Sequence, residues 1–338
     1  MKLVTAGLDY EIVVSAENNA YLLWQCLLFH AACVRVQAAT PCFVVHASGP
    51  LLAGFHELSR LGARVSAAPN YRAGARIDYP PRNTPGSLLE ADHDREWTFL
   101  CDPDLLILRK LPSQAASLCG GRSISWESSS FMQTGPIEAW LTGACRERGI
   151  DPVHVARHGA GGSVPHFVHR DVQRRFAKAW LAATDTLIDY GVRTSDMHWV
   201  ASMWGFALAT WELDIDVALT SITQTSYLGS ATPESSLHAP LLHYSYGDEL
   251  FHKHNHCTTA TAPGVWKVKA EGSSVSAMLL RRMAEARSWF LEKGIDVTEP
   301  SLYEPVPEGH GESSAPSNHL ASSTTVRAAS VVGSPSTR

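Results

Sequence analysis

Apolar and polar positions follow two alternating periods over the first hundred residues. Residues 10–15 (YEIVVS) form a short apolar run, predicted as a strand, with a polar exit at Glu17, Asn18 and Asn19. Residues 21–36 carry apolar side chains at helical spacing and are predicted as a helix lying on a sheet. Strands are then expected at 41–47 and 63–67, with a helix at 51–61 between them. A short helix at 86–92 leads into a wholly apolar or β-prone run at 97–101 (WTFLC). Strands alternating with helices at this spacing predict a parallel sheet covered by helices on both faces.

The pattern continues less regularly. Helices are expected at 113–118 and 136–149, and a glycine-rich turn at 158–163 (HGAGGS). A strand at 164–169 precedes a strongly amphipathic helix at 172–187. A further apolar helix is predicted at 195–211 with Ser195 as its N-cap, a short strand at 241–246 and a last helix at 277–293. From residue 305 the chain is Ser, Pro, Gly, Ala and Thr with few large apolar side chains, which predicts a single domain at 1–304 and a disordered tail at 305–338.

Composition narrows the class. The 338 residues are 45% hydrophobic, enough for a sizeable core, and the net charge of -5 comes without a basic patch, which argues against nucleic acid as a partner. Seven Cys lie mostly inside apolar runs with no paired CxxC spacing, so a reducing compartment is expected. There is no cationic and apolar leader at the N-terminus. The longest apolar stretch, 21–36, is broken by Gln25, His30 and Arg35 and is too short to span a bilayer. A cytoplasmic protein without a transmembrane segment is expected.

The chemistry centres on residues 97–112, WTFLCDPDLLILRKLP. Asp102 and Asp104 stand where a buried strand ends, with a second apolar run directly behind them. Carboxylates are expensive to place there unless a hard divalent cation sits between them. In open α/β sheets that strand end faces the ligand crevice. The pair therefore reads either as a metal–diphosphate site or as an ordinary Asp-Pro-Asp turn. Residues 69–85 form a long polar loop, a feature more often functional than not. His252, His254 and His256 alternate in a polar segment without a Cys partner and read as a solvated face rather than a zinc site.

Several separate stretches, taken in order, resemble the plant-type hydroxyproline O-arabinosyltransferases and peptidyl serine galactosyltransferases, glycosyltransferases of GT-A fold. Residues 15–19 (SAENN) with Trp24 and Gln25 are similar to the family's first strand and helix. Residues 79–85 (YPPRNTP) are similar to its YPxxNKP loop, and 101–104 (CDPD) with Leu111 and Pro112 to its DxD strand. Gly161, Gly162, His169, Asp171, Trp180 and Leu181 resemble its GG…HxD…WL segment, residues 199–205 (WVASMWG) its WISEMYG helix, and residues 242–244 (LHY) its LHYG motif. The match spans about 10–256. Thr84 stands where the family has Lys, Ser202 where it has Glu, and Ser245 and Tyr246 intrude before Gly247.

The resemblance implies an α/β fold of GT-A type, with a mixed, mainly parallel sheet. It implies a metal-dependent transfer from a UDP-sugar to a hydroxyl on a peptide or protein, hydroxyproline or serine, with retention of configuration. Asp104, Asp102 and His243 would hold Mn2+ or Mg2+, Asp104 as the main ligand. Ser15, Ala16, Glu17 and Asn18 would line the nucleotide pocket. Arg82 and Asn83 would hold phosphate or sugar hydroxyls, and Gly161 and Gly162 would allow close backbone approach to the sugar. Asp196 would accept from sugar hydroxyls, with Ser202 beside it in the catalytic set. Each also has an ordinary structural reading: a core histidine for His243, turn residues for Arg82 and Asn83, a first-turn acid for Asp196. Two other readings of the whole stay open, another carboxylate–metal–phosphate enzyme and a binding module of the same fold without turnover.

Overall fold

The protein is described here by a computed structural model covering residues 8–74, 77–127, 139–151, 162–190, 198–225, 233–244 and 250–306. The first half is a regular strand–helix alternation: β1 (Tyr10–Glu17), α1 (Ala20–Arg35), β2 (Cys42–Ala47), α2 (Ala53–Arg60), β3 (Arg64–Pro69), α3 (Asn83–Glu90) and β4 (Trp97–Cys101). Then follow β5 (Leu105–Ile107), α4 (Ala115–Cys119), β6 (Ile124–Glu127), α5 (Ala139–Glu147) and β7 (His166–His169). The chain continues through α6 (Arg170–Asp189), α7 (Ala201–Glu212), β8 (Val217–Thr220), β9 (Thr223–Thr225), β10 (Leu241–His243) and α8 (Val275–Glu292). The described residues up to Val306 belong to one compact unit. Of the expected tail, Pro305 bridges Leu52 and the Val306 amide donates to the Leu51 carbonyl (3.3 Å), while 307–338 lie outside the described residues.

Seven strands form one sheet in the order β3-β2-β1-β4-β7-β6-β8. β1 runs parallel to β2 and β4, β2 to β3, and β6 to β8, while β7 is antiparallel to both β4 and β6. This is the mixed, mainly parallel α/β sheet expected. Both faces are buried, so side chains one residue apart go into different cores. From β1, Ile12, Val14 and Ala16 join the core under α1 and α8, with Trp24, Phe29 and Phe290. Val13 joins Leu100, Val168, Phe176, Trp180 and Phe206 on the face covered by α6 and α7. Fully buried rings of this size each stabilise by about 1.5–3 kcal/mol relative to exposure.

A second, three-stranded sheet, β5-β10-β9, stands apart from the first. β10 is antiparallel to β5, with His243 opposite Leu105 and Leu241 opposite Ile107. The apolar run after Asp104 is thus a strand of its own and explains why that turn is embedded on both sides.

The departures from the expected elements have local causes. The helix predicted from 195 begins at Ala201 after one 3-10 turn (His198–Val200), with Val200 and not Ser195 at its cap; residue 195 lies outside the described residues. β6, β8 and β9 are not foreseen, because they are three or four residues long and β6 ends on an acid, Glu127. That carboxylate is buried as the acceptor of the Thr220 hydroxyl (2.8 Å) and the Thr223 amide (3.0 Å). The start of α7 is fixed by Tyr79, whose hydroxyl donates to the Trp199 carbonyl and accepts from the Ser202 amide, both at 3.0 Å. Tyr79→Phe removes both bonds and strands a buried amide and carbonyl. We expect it to lower unfolding free energy by about 1–3 kcal/mol; an unchanged urea midpoint would show that α7 does not depend on this hydroxyl.

Candidate active site

The strand order reverses at β1, whose neighbours β2 and β4 lead to opposite edges of the sheet. At such a point the loops at the carboxyl ends diverge and leave a crevice. The register sets Val14 beside Cys101. Ser15–Glu17 and Asp102–Asp104 therefore leave the sheet side by side. A cleft of about 560 Å3 opens here, lined by Ser15, Ala16 and Glu17, by Asp102, Pro103 and Asp104, by Tyr21 and Gln25 of α1, and by Arg72, Asn83 and Lys253.

Asp-Pro-Asp is a turn and also part of this cleft. The Leu105 amide donates to the Asp102 carbonyl (3.3 Å), closing the turn. The Tyr244 amide donates to the Asp104 carbonyl (3.2 Å) and its hydroxyl to the Pro103 carbonyl (3.3 Å), so the end of β10 clamps the turn. The same strand end brings His243 Nε2 to 3.2 Å from Asp104 Oδ1. Lys253 Nζ donates to the other oxygen, Oδ2, at 2.5 Å, from a 3-10 turn at Lys253–His256. Asp104 Oδ1 is buried and lacks a well-formed hydrogen bond, a lone-pair oxygen aimed at an imidazole.

Charge follows geometry. Against the upward pull of burial, Lys253 and then His243 hold the Asp104 carboxyl well below the usual range. Desolvation, followed by the neighbouring Asp104 charge, pushes Asp102 up. Against the downward pull of burial, Asp104 raises the Lys253 ammonium. Among the described lining residues, two cations (Arg72, Lys253) face three carboxylates (Glu17, Asp102, Asp104), one net negative charge.

The β1 side of the cleft is built around Glu17 and Ser15. Glu17 accepts from Arg72 (2.8 Å), Asn83 (2.8 Å) and Asn19 (3.2 Å). Arg72 also forms two bonds to Asp78. Ser15 and Ser87 share a hydrogen bond (2.8 Å), and Ser87 meets His46 Nε2 at 2.7 Å. His46 Nδ1 faces the Pro69 carbonyl (2.6 Å), so it must carry the proton; burial lowers the His46 pKa and keeps it neutral. Ser87 Oγ thus lies between His46 Nε2 and Ser15 Oγ, and ties the cleft-lining Ser15 to the buried imidazole.

Of the other described residues singled out from the sequence, Asn83 lines the cleft, and Asn18, Arg82, Gly162 and Ser202 do not. Arg82, expected beside the phosphates, instead pairs with Asp185 (2.8 Å) and the Tyr71 carbonyl, and does not line the cleft. Asn18 bonds the Pro50 carbonyl (2.7 Å) and the Leu52 amide (2.9 Å), a loop-fixing role. Asn83 lines the cleft, but its amide is engaged by Glu17, Asn70 and the Tyr71 amide. Ser202 is buried at the start of α7, its Oγ without a partner among the described residues and its carbonyl bonded by Trp180 (2.6 Å). It does not line the cleft. Gly162 has φ +141°, and a Cβ there would come within 2.4 Å of the Met203 carbonyl oxygen, so a side chain is excluded. Gly161 and Asp196 lie outside the described residues.

Lys253 and Arg72 were missed. Lys253 was hidden between histidines read as a solvated face. It is in fact buried, and Tyr21 stacks on His254 (5.6 Å, 22°) beside it. Only its place between two alternating histidines, after Phe251, hinted that the segment packs.

Among the described residues, no three His, Cys, Asp or Glu side chains are gathered closely enough to hold a metal ion together. Asp104 and His243 are adjacent, while Asp102 shares the cleft without joining them in a preformed triad. Two carboxylates and an imidazole are nonetheless a donor set that suits Mn2+ or Mg2+, and the unbonded Asp104 Oδ1 is an oxygen a cation would satisfy.

Residues 86–219 match the N-terminal domain of the Hydroxyproline O-arabinosyltransferase family. No curated protein matches the chain. Among solved structures, the fold is similar to that of the galactosyltransferase LgtC in complex with donor and acceptor sugar analogs. The identity there is 12%, the TM-score 0.47, and the alignment covers 88% of this chain and 98% of that one. It is also similar to the bifunctional glycosyltransferase WbbM in its apo form, with 8% identity, a TM-score of 0.45, and coverage of 86% of this chain and 51% of that one. Among the described residues no helix is long and apolar enough to cross a membrane.

Proposed function

We propose that this chain, a glycosyltransferase carrying the N-terminal domain of the hydroxyproline O-arabinosyltransferase family, moves a sugar from a UDP-sugar to a hydroxyl on a peptide or protein, with a divalent cation at Asp104. One observation carries the reading. Asp104 stands in the switch-point cleft with one oxygen paired to Lys253 and the other facing His243. A sugar nucleotide leaves as a diphosphate, and its departure builds negative charge in a lining where three carboxylates already outnumber two cations, so a further cation is needed. When bound, the divalent ion neutralises that charge as a Lewis acid; Asp104, His243 and Asp102 would hold it.

The chain's own residues do the rest. Lys253 is placed to shift a donor from Asp104 to a phosphate oxygen, since an ammonium offers three. Ser15 Oγ, held in place by Ser87, is positioned to hydrogen-bond the base. Glu17 fixes Arg72 and Asn83 at the lip. No side chain is needed as base if the departing phosphate takes the acceptor hydroxyl's proton, which fits a retaining transfer. The hydroxyl acceptor, hydroxyproline or serine, follows from the family resemblance. Ser202 lies outside the cleft lining, so its departure from the family's Glu does not by itself remove a group from the donor pocket.

A panel of UDP-sugars assayed for Mn2+-dependent UDP release tests the reading. One sugar should give turnover that stops on chelation; no release from any sugar would leave a binding protein of the same fold. Calorimetry is a second check. Counted formally, the lining has one net negative charge, so UDP, whose diphosphate adds roughly two more, should bind at least about tenfold more weakly without the cation, about 1.4 kcal/mol. Equal affinity in chelator would mean that Lys253 and Arg72 suffice.

A further inference from the structure

A second cavity, of about 260 Å3, opens between the C-terminal half of α1, β5 and α8. Leu28, Ala31 and Ala32 of α1, Leu106 of β5 and Trp289 of α8 give it an almost wholly apolar wall. Its charged groups are Arg35, Arg282 and Glu285, one net positive charge. Arg35 Nη2 donates to the carbonyls of Ile107 (3.0 Å) and Leu108 (3.3 Å), which fixes its guanidinium at the wall. Arg282 Nη1 holds both oxygens of Glu285, at 3.0 and 2.8 Å. Its Nε is buried and has no hydrogen-bond partner among the described residues. A buried N–H of a cation left without an acceptor is costly, so the Arg282 side chain is incompletely satisfied where it stands.

We propose that this cavity binds a single-chain anionic amphiphile, a short-chain carboxylate whose head group sits between Arg282 and Arg35 and whose chain lies against Leu28, Ala31 and Trp289. The apolar wall accepts a hydrocarbon chain, and the surplus positive charge, with Arg282 paired to Glu285 and Arg35 bonded only to carbonyls among the described residues, selects an anionic head over a neutral or cationic one. The volume lies just below the range of about 300–1,000 Å3 usual for drug-sized ligands, which favours a short single chain over a diacyl lipid.

Calorimetric titration of the full chain with decanoate, below its micellar concentration, tests this. Saturable one-to-one binding is expected, with decyltrimethylammonium at least tenfold weaker. Arg282→Gln, at a rim position that is 29% exposed, should weaken decanoate at least tenfold with the fold intact by circular dichroism. Ala31→Phe, which fills the cavity, should abolish binding. Absence of saturable binding, or equal affinity for both head groups, overturns the proposal. So does decanoate binding that Arg282→Gln leaves unchanged, a result that stands whether or not Ala31→Phe folds.

Discussion

Asp104→Asn is expected to lower UDP release at least about a hundredfold, because an anionic ligand is lost and the diphosphate charge goes uncompensated. It should also destabilise the fold. Lys253 is buried, and its ammonium is held by Asp104 at 2.5 Å. Without that partner an uncompensated charge remains inside, at a cost of about 3–5 kcal/mol. The two effects separate in the double variant Asp104→Asn, Lys253→Met. Removing the orphaned ammonium should restore most of the urea midpoint while activity stays lost. Undiminished turnover in a cooperatively melting Asp104→Asn protein would remove Asp104 from the chemistry. A double variant no more stable than the single one would show that the ion pair is not what holds this corner together.

What the sequence made legible follows from the strength of each local signal. β4 is five buried residues in a row, and its bounds, Trp97–Cys101, could be read directly from the apolar run. α1 and α6 carry long periodic faces and were displaced by only one or two residues at most ends. β6 escaped because a buried Glu127 imitates a polar strand exit; its threonine partners lie 93 and 96 residues away, beyond any local window. Arg82 looked like a phosphate ligand because its loop is polar, yet its counter-ion, Asp185, sits on a helix a hundred residues later. Lys253 is the opposite case, a cation whose polar neighbourhood concealed a buried partner. Charge pairing across long separations leaves no periodic trace, so the backbone scaffold was more legible than the electrostatics of the cleft.

Acid should unfold the protein through two histidines remote from the cleft. His166 is fully buried, stacked on Phe206 (4.2 Å) with the edge of Trp180 nearby (5.5 Å), and its Nε2 has no partner among the described residues. His30 is buried with neither ring nitrogen bonded, against Trp289. Burial lowers their pKa to about 3 and about 4. Both lie below the unfolded value near 6.5, so the unfolded chain takes up protons first as pH falls. The stability that neutral His30 and His166 contribute is complete above about 6.5 and is lost progressively toward pH 4 and 3. For His30 the full loss is roughly 3 kcal/mol, and for His166 it is of the same order. Several raised carboxylates, Glu17 and Glu127 among them, act with the opposite sign. The informative measurement is therefore the difference between wild type and His30→Phe or His166→Phe. Urea midpoints of the variants should fall less steeply between pH 6.5 and 4; parallel curves would mean that these rings are not the acid-sensitive groups.

The Asp104–Lys253 pair joins positions 149 residues apart. A ribosome adding about 5–20 residues per second needs roughly 7–30 s to cover that interval. For that time the nascent chain already carries β1 to β4, a sheet able to form, while Asp102 and Asp104 stand at its edge with neither the imidazole nor the ammonium yet made. The turn must wait as a hydrated, mutually repelling anion pair, and this corner of the cleft can close only when the last third of the polypeptide arrives. A product terminated between Thr220 and His243 would carry every strand of the main sheet and none of the compensation, an open and negatively charged seam for quality-control proteases to recognise.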